Sequence, residues 1–243
     1  MNGKTYLLGA LAGVVALFGL GYCGVAKADP LVDQVFGPSV QLGDFCSGEI
    51  IHSKRDEKTD KVSTIVLSAK HCVMDDTKKL VTINKAVYDT HNRKTGVKTY
   101  IAEVLGTSFK SDLAVLKLRD QSYLFTDVAK VAKSDTPLRF GQDVVVVGYP
   151  LGRSMTYTEG NLGFVEDNVF SDISESKQFY RATPDIAPGS SGSSMFTLVD
   201  GEYQIIGVVT GGASQFSWFN FFTPIEEINE YLDVVSKTFD KDE

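Results

Sequence analysis

The sequence predicts an all-β domain, a barrel or a sandwich, followed by one C-terminal helix. Short runs of β-branched and apolar residues recur along most of the chain, separated by charged or turn-forming segments. Helical periods are few before residue 224. Behind Pro224 the pattern changes, and Ile225, Ile228, Tyr231, Leu232 and Val235 repeat at helical spacing. The 243 residues suit one large domain or two small halves with a sizeable core. A composition of 43% hydrophobic and 23% charged residues is that of a globular chain rather than a disordered one.

Residues 1–28 stand apart. Lys4 is the only charge before a mostly apolar run from Tyr6 to Tyr22, and Ala26-Lys27-Ala28 has the small-x-small pattern of a signal-peptidase site. The segment reads as a secretory signal cut after Ala28. The competing reading is an uncleaved membrane anchor, because the run almost reaches the length that spans a bilayer. Lipidation at Cys23 is disfavoured by the bulky Tyr22 before it. The expected location is therefore secreted or periplasmic, with membrane association only if the leader stays attached. Removing residues 1–28 takes away Lys4 and Lys27 and no acid, so the formal charge goes from −7 to −9. Such acidity argues against a nucleic-acid partner, which needs a basic footprint.

Two cysteines remain, Cys46 and Cys72. An even pair in an exported protein reads as a disulfide, the alternative being two buried thiols. Without a nearby cluster of histidines or carboxylates they do not make a zinc site, and no pattern calls for a metal or an organic cofactor.

In the first half, residues 29–44 carry Pro30, Gly37, Pro38 and Gly43 and read as an irregular lead-in. Strands are expected at Phe45–His52, Val62–Ser68, Leu80–Ile83, Val97–Leu105 and Leu113–Leu118, with the charged Ser53–Lys61 segment as a hairpin tip. Ser68-Ala69-Lys70-His71-Cys72 closes one apolar strand. A histidine beside a disulfide cysteine is held rigidly, as a general base must be. Asp112 sits at the mouth of Leu113–Leu118, whose odd and even positions are both mostly apolar. An aspartate there can accept a histidine ring N–H and fix its tautomer. Taken singly, His71 is a structural histidine and Asp112 a turn residue. His52 and His91 lie in polar surroundings and read as solvated.

In the second half, strands are expected at Val144–Val147, Asn161–Val165, Gln178–Ala182, Met195–Leu198, Tyr203–Thr210 and Phe216–Thr223, with a boundary between halves near Ala129–Leu138. The halves then run over about 29–130 and 131–224, and the helix over 225–239. Between two of these strands lies Ala187-Pro188-Gly189-Ser190-Ser191-Gly192-Ser193-Ser194. Gly189 and Gly192 allow a sharp turn around Ser191. Such a turn can expose a nucleophilic hydroxyl and aim the N–H groups of Gly189 and Ser191 at one point. By itself a Gly/Ser/Pro cluster is a loop signal before it is a catalytic one.

Together these motifs resemble the trypsin-like (chymotrypsin-fold) serine proteases. The stretches are Phe45-Cys46-Ser47-Gly48-Glu49-Ile50-Ile51, Leu67-Ser68-Ala69-Lys70-His71-Cys72, Asp112-Leu113-Ala114-Val115-Leu116-Lys117-Leu118 and Gly189-Ser190-Ser191-Gly192-Ser193, in the family's order of His, Asp and Ser. Val145–Gly152 and Pro188–Ser194 look like the bacterial Deg-type members. The resemblance spans about Phe45 to Pro224. It implies two six-stranded antiparallel β-barrels with a site in the cleft between them, and a disulfide Cys46–Cys72 beside the histidine. It implies Ser191 as nucleophile, His71 as base then acid, Asp112 as orienting carboxylate, and the Gly189 and Ser191 N–H groups as oxyanion hole. Thr210-Gly211-Gly212 aligns with the strand that pairs with the substrate backbone.

The sequence departs from the family's digestive members in two ways. Ser190 stands where they carry an aspartate, and no Ile/Val-Val-Gly-Gly start is present. A zymogen switch between a new N-terminus and that aspartate is therefore not available. Asp185, six residues before Ser191, matches the position at the base of the primary pocket in trypsin. An ungapped count thus predicts cleavage after Arg or Lys, the alternative being a solvated turn residue. Phe216, Trp218, Phe219, Phe221 and Phe222 line a pocket or fill the second barrel, core being the commoner use. The reading is an exported serine endopeptidase acting on peptides or proteins as a monomer. The alternatives are a catalytically silent peptide-binding relative and a hydrolase of small esters.

Overall fold

The computed structural model describes residues 29–73, 80–89, 91, 93–108, 110–167, 175–176, 178–212 and 219–239. The predicted leader, Phe216 and Trp218 lie outside the described residues. Six strands make the first barrel: β1 (Ser39–Leu42), β2 (Cys46–Arg55), β3 (Val62–Ala69), β4 (Leu80–Tyr88), β5 (Lys94–Ser108) and β6 (Leu113–Leu118). They close in the order β1-β2-β3-β6-β5-β4, every pair antiparallel.

The second half adds β7 (Lys130–Val131), β8 (Asp143–Gly148), β9 (Thr156–Asp167), β10 (Gln178–Ala182), β11 (Ser194–Val199), β12 (Glu202–Gly212) and β13 (Asn220–Pro224). Antiparallel pairing runs β11-β8-β9-β10-β13-β12, and a β11–β12 pairing closes this ring of six. The two-residue β7 lies outside the ring, parallel to β12. The expected pair of six-stranded barrels is thus present. Among the described residues no helix is long and apolar enough to cross a membrane.

The strands explain the sequence pattern. Val66, Ala114, Leu116 and Leu118 fill the first barrel with Val40, Ile50 and Ile83. Val144, Val146, Met195, Ile206 and Phe222 fill the second. The alternate residues of the same strands, Leu67, Leu113, Val115, Val145 and Val147, meet Phe196, Ile205 and Val208 in a third core between the barrels. Strands buried on both faces lose the usual apolar–polar alternation. That is why Leu113–Leu116 of β6 and Val144–Val147 of β8 read as unbroken apolar runs. The helix α1 (Ile225–Phe239) seals this shared core with Ile228, Tyr231 and Val235.

Several boundaries differ from expectation. The lead-in contains β1, because Val40 and Leu42 are buried and pair with both β2 and β4. Its flanking Pro38 and Gly43 masked so short a strand. Strand β2 continues to Arg55, and the hairpin tip shrinks to the turn where Asp56 Oδ1 accepts the N–H groups of Lys58 and Thr59 at 2.9 and 2.7 Å. Pro224 ends β13 opposite Gly207, and the helix starts at the next residue. A proline lacks the N–H that would extend the ladder.

Candidate active site

The site assembles where the ends of β3 and β6 meet the turn before β11. Residues Lys70–Cys72 form one helical turn directly after β3, and Asp112 directly precedes β6. Strands β3 and β6 are neighbours, with Ala69 opposite Leu113. His71 and Asp112 are thereby brought side by side from 41 positions apart. Asp112 takes a positive φ of 49°, a conformation that a short polar side chain tolerates. Its carbonyl accepts the Lys70 N–H at 2.9 Å. Its Oδ1 accepts the His71 N–H at 2.9 Å, and its Oδ2 lies 2.7 Å from the His71 Nδ1.

The Asp112 side chain is fully buried, whereas that of His71 is 23% exposed. A buried carboxylate needs partners for both oxygens, and His71 supplies both. With the proton on Nδ1 facing Asp112, Nε2 is left as the basic nitrogen. The second barrel steadies this corner. The Thr223 hydroxyl donates to the Ser111 carbonyl at 2.9 Å, next to Asp112. Having one hydrogen, it must accept the bond from Thr210 Oγ1, also at 2.9 Å. Thr210 is buried, so its side chain serves this relay, while Gly212 is exposed.

The Ser191 turn is held from both barrels. Ser190 N–H donates to the Ala187 carbonyl, and Ser193 N–H to the Ser190 carbonyl, both at 2.9 Å. The Pro188 carbonyl accepts the Leu151 N–H at 2.6 Å. In a trans peptide C=O and N–H point in opposite directions. Fixing the Pro188 and Ser190 carbonyls therefore turns the N–H groups of Gly189 and Ser191 away from those bonds. Neither N–H has a partner among the described residues. Gly189 and Gly192 have φ of +100° and +80°. At Gly192 an added Cβ would collide with Ser68 Oγ and the Ser47 carbonyl, so only glycine fits there.

Cys46 and Cys72 form a disulfide, as expected. It joins the start of β2 to the His71 turn, and Cys72 Sγ lies 3.6 Å from the Ser191 carbonyl oxygen. Ser47, next to Cys46, donates its N–H to that same oxygen at 2.8 Å. The group Cys46, His71 and Cys72 clusters within ligand distance, but both sulfurs are spent on the disulfide.

Strand β12 borders the site. Val208 faces Ser194 of β11, and beyond it residues 210–212 have no strand on that side among the described residues. Their other side pairs with β13, Gly211 opposite Phe221 and Gly212 opposite Asn220. The result is an open strand edge beside the Ser191 turn. Asp185 is exposed, and its carbonyl accepts the Thr158 hydroxyl at 2.9 Å. It borders a cavity of about 150 Å³ lined also by Val146, Gly148, Thr156, Thr158, Ile186 and Ser190. Ile186 Cδ1 and Asn220 Oδ1 instead crowd the place beside Gly212. Phe221 and Phe222 are buried in the second barrel. A groove of about 950 Å³ lies along Leu138, Asp143, Glu159 and Leu198 and includes none of the candidate residues.

Ser47 and Thr223 were not singled out in the sequence. Each is a small hydroxyl inside a strand, and only the pairing of the two barrels brings Gly189 to Ser47 and Ser111 to Thr223.

Comparison with known proteins agrees with this fold. The chain is 28% identical over 160 residues to a protein of Chlamydia pneumoniae described as a probable periplasmic serine endoprotease DegP-like, covering 63% of this chain and 31% of that one. It is 32% identical over 118 residues to a protein of the same description from Marinomonas sp. (strain MWYL1), covering 49% and 23%. The chain thus spans about a third or less of the curated relatives it matches. Among solved structures, Rv3671c from M. tuberculosis H37Rv in an inactive form superposes with a TM-score of 0.61 at 21% identity, over 87% of this chain and 92% of that one, so the fold is shared. The family model of the trypsin-like peptidase domain matches residues 46–208, more than half of the sequence, and the chain belongs to that family.

Proposed function

We propose that this chain is a serine endopeptidase working through Ser191, His71 and Asp112. The observation that carries the reading is the two-point grip of Asp112 on His71, backbone and ring together. Ser191 Oγ attacks the scissile carbonyl carbon while His71 Nε2 takes its proton. The carbonyl oxygen becomes an oxyanion between the N–H groups of Gly189 and Ser191. His71 then gives its proton to the leaving amine, the C–N bond breaks, and an acyl-enzyme remains. Water, deprotonated by His71, attacks the ester carbonyl. The acid product leaves as Ser191 regains its proton. The open edge at Thr210–Gly212 supports binding of an extended peptide by strand addition.

The turn is supported by bonds internal to the domain: Leu151 N–H to Pro188, Ser190 N–H to Ala187, and Ala187 N–H to Ser190 Oγ. This supports a site that forms without a newly cut N-terminus. Action outside the cytoplasm is supported by the leader pattern, the disulfide and the periplasmic description of the relatives.

For specificity, the placement of Asp185 favours a solvated role over a pocket base. Ile186 and the Asn220 amide, which donates to the Pro184 carbonyl at 2.6 Å, favour a short apolar side chain before the scissile bond. A peptide-library cleavage profile, run with the full chain and with a protein starting at Asp29, tests the specificity and the absence of an activation step. The expected result is cleavage after small aliphatic residues by both forms at similar rates. Preference for Arg or Lys would return Asp185 to the pocket. A large gain on trimming would show an activation step.

A further inference from the structure

We propose that Ser47 is the positioning residue of the oxyanion turn, its hydroxyl setting the orientation of the Gly189 peptide. The inference rests on the proposed roles of Ser191 and the Gly189 and Ser191 N–H groups. Ser47 lies on β2 of the first barrel and is fully buried. Its Oγ donates to the Gly189 carbonyl at 2.8 Å and accepts the Tyr149 N–H at 2.8 Å, so its single hydrogen is committed. Its N–H donates to the Ser191 carbonyl at 2.8 Å. One residue thus holds both members of the proposed oxyanion pair from behind.

The bonds form a circuit. Ser47 Oγ ties Gly189 to Tyr149, and two residues past Tyr149 the Leu151 N–H holds the Pro188 carbonyl. The peptides on both sides of Gly189 are therefore anchored, one by Ser47 and one by Leu151. Glycine is the residue whose peptides rotate most freely, and Gly189 stands at a φ of +100°. Without the Ser47 hydroxyl its carbonyl loses a buried partner, and the Gly189–Ser190 peptide keeps only the Ser190 N–H bond to Ala187. That peptide joins the one bearing the Gly189 N–H to the one bearing the Ser191 N–H, so a change in its tilt alters the angle between the two N–H groups, and an oxyanion hole acts only when both converge. Space for the hydroxyl comes from Gly148, where an added Cβ would press on Ser47 Oγ and Ser193 Oγ. The Ser47 carbonyl is held in turn by Ser68 Oγ at 2.7 Å, which gives a control substitution in the same cluster that leaves the Gly189 bond intact.

The test begins with a fluorophosphonate probe on the full chain. Failure of the folded wild type to react at Ser191 would remove the underlying reading, and this inference with it. With reaction established, Ser47→Ala should lower kcat on a peptide substrate by about 10- to 100-fold while KM changes by less than about threefold, as for a loss felt mainly in the transition state. Affinity for a peptide boronate, whose tetrahedral adduct places an oxygen in the hole, should fall by a similar factor. Peptide binding to Ser191→Ala should not change when Ser47→Ala is added. Ser68→Ala should keep kcat within about twofold of wild type. Should Ser47→Ala fail to fold, Ser47→Cys keeps a weak donor of similar size, and an intermediate kcat is expected. An unchanged kcat in the folded Ser47 variant, a loss confined to KM, or equal kcat losses in Ser47 and Ser68 variants would overturn the proposal.

Discussion

Asp112 holds His71 at two points, its Oδ1 on the backbone N–H and its Oδ2 on the ring Nδ1, at 2.9 and 2.7 Å. The two bonds leave the ring little freedom and assign Nδ1 as the nitrogen that carries the proton in the resting state. The proposed mechanism depends on that assignment, because it leaves Nε2 to act as base.

Asp112→Asn tests the assignment. An amide can offer its NH2 to Nδ1, which favours the opposite tautomer and protonates Nε2. The expected loss in kcat is about 10³- to 10⁴-fold, with the fold retained by circular dichroism. A loss below about tenfold would show that the carboxylate does not set the tautomer.

The disulfide joins β2 to the His71 turn across a sequence separation of 26. Closing a loop of that length is worth roughly 3 kcal/mol in the chain-entropy model. Replacing both cysteines by serine should lower unfolding stability by about that amount and reduce activity, since Cys72 adjoins His71 and touches the Ser191 carbonyl. Chemical unfolding and kcat are measured together. Unchanged activity in the double variant would separate the clamp from the chemistry.

Glu49 is fully buried on β2, and burial pushes its carboxyl well above the ordinary value, against smaller opposing effects of Ser39, Lys85 and the Ser194 backbone. Ser39 Oγ lies 2.8 and 3.0 Å from the two carboxyl oxygens and 3.1 Å from the Val35 carbonyl. One hydroxyl hydrogen cannot serve all three. A protonated Glu49 resolves this by donating to Ser39, which then donates to Val35. The folded protein thus keeps a proton that the unfolded chain loses above the usual carboxylate range. The Glu49 contribution to stability is full at acid pH and declines as pH rises through that window, by about 1.4 kcal/mol per unit. Glu49→Gln copies the neutral acid and should lose this decline. Urea unfolding of both proteins from pH 4 to 9 should show the variant gaining on wild type as pH rises. A wild type that gains on the variant would place an ionised carboxylate there, paired with Lys85.

The sequence carried the fold where strands are long and buried on both faces, as in β6 and β8, and where glycines mark the Ser191 turn. It failed where an element is defined by its partners. The four residues of β1 are a strand because β2 and β4 flank them. The hydroxyls of Ser47 and Thr223 matter because the other barrel supplies Gly189 and Ser111. Counting six residues back from Ser191 reaches Asp185, which is exposed, whereas its neighbour Ile186 lies beside Gly212. Spacing along the chain reports local geometry and is blind to which side of a turn a residue takes.

The most direct measurement is reaction of the full chain with a fluorophosphonate, followed by intact-mass and peptide mapping beside Ser191→Ala and His71→Ala. A single adduct on Ser191 is expected in wild type, none in Ser191→Ala, and a rate lowered by at least about 10³-fold in His71→Ala. No adduct on a folded, disulfide-bonded wild type would contradict the proposed function and leave a cleft that binds peptides without cutting them.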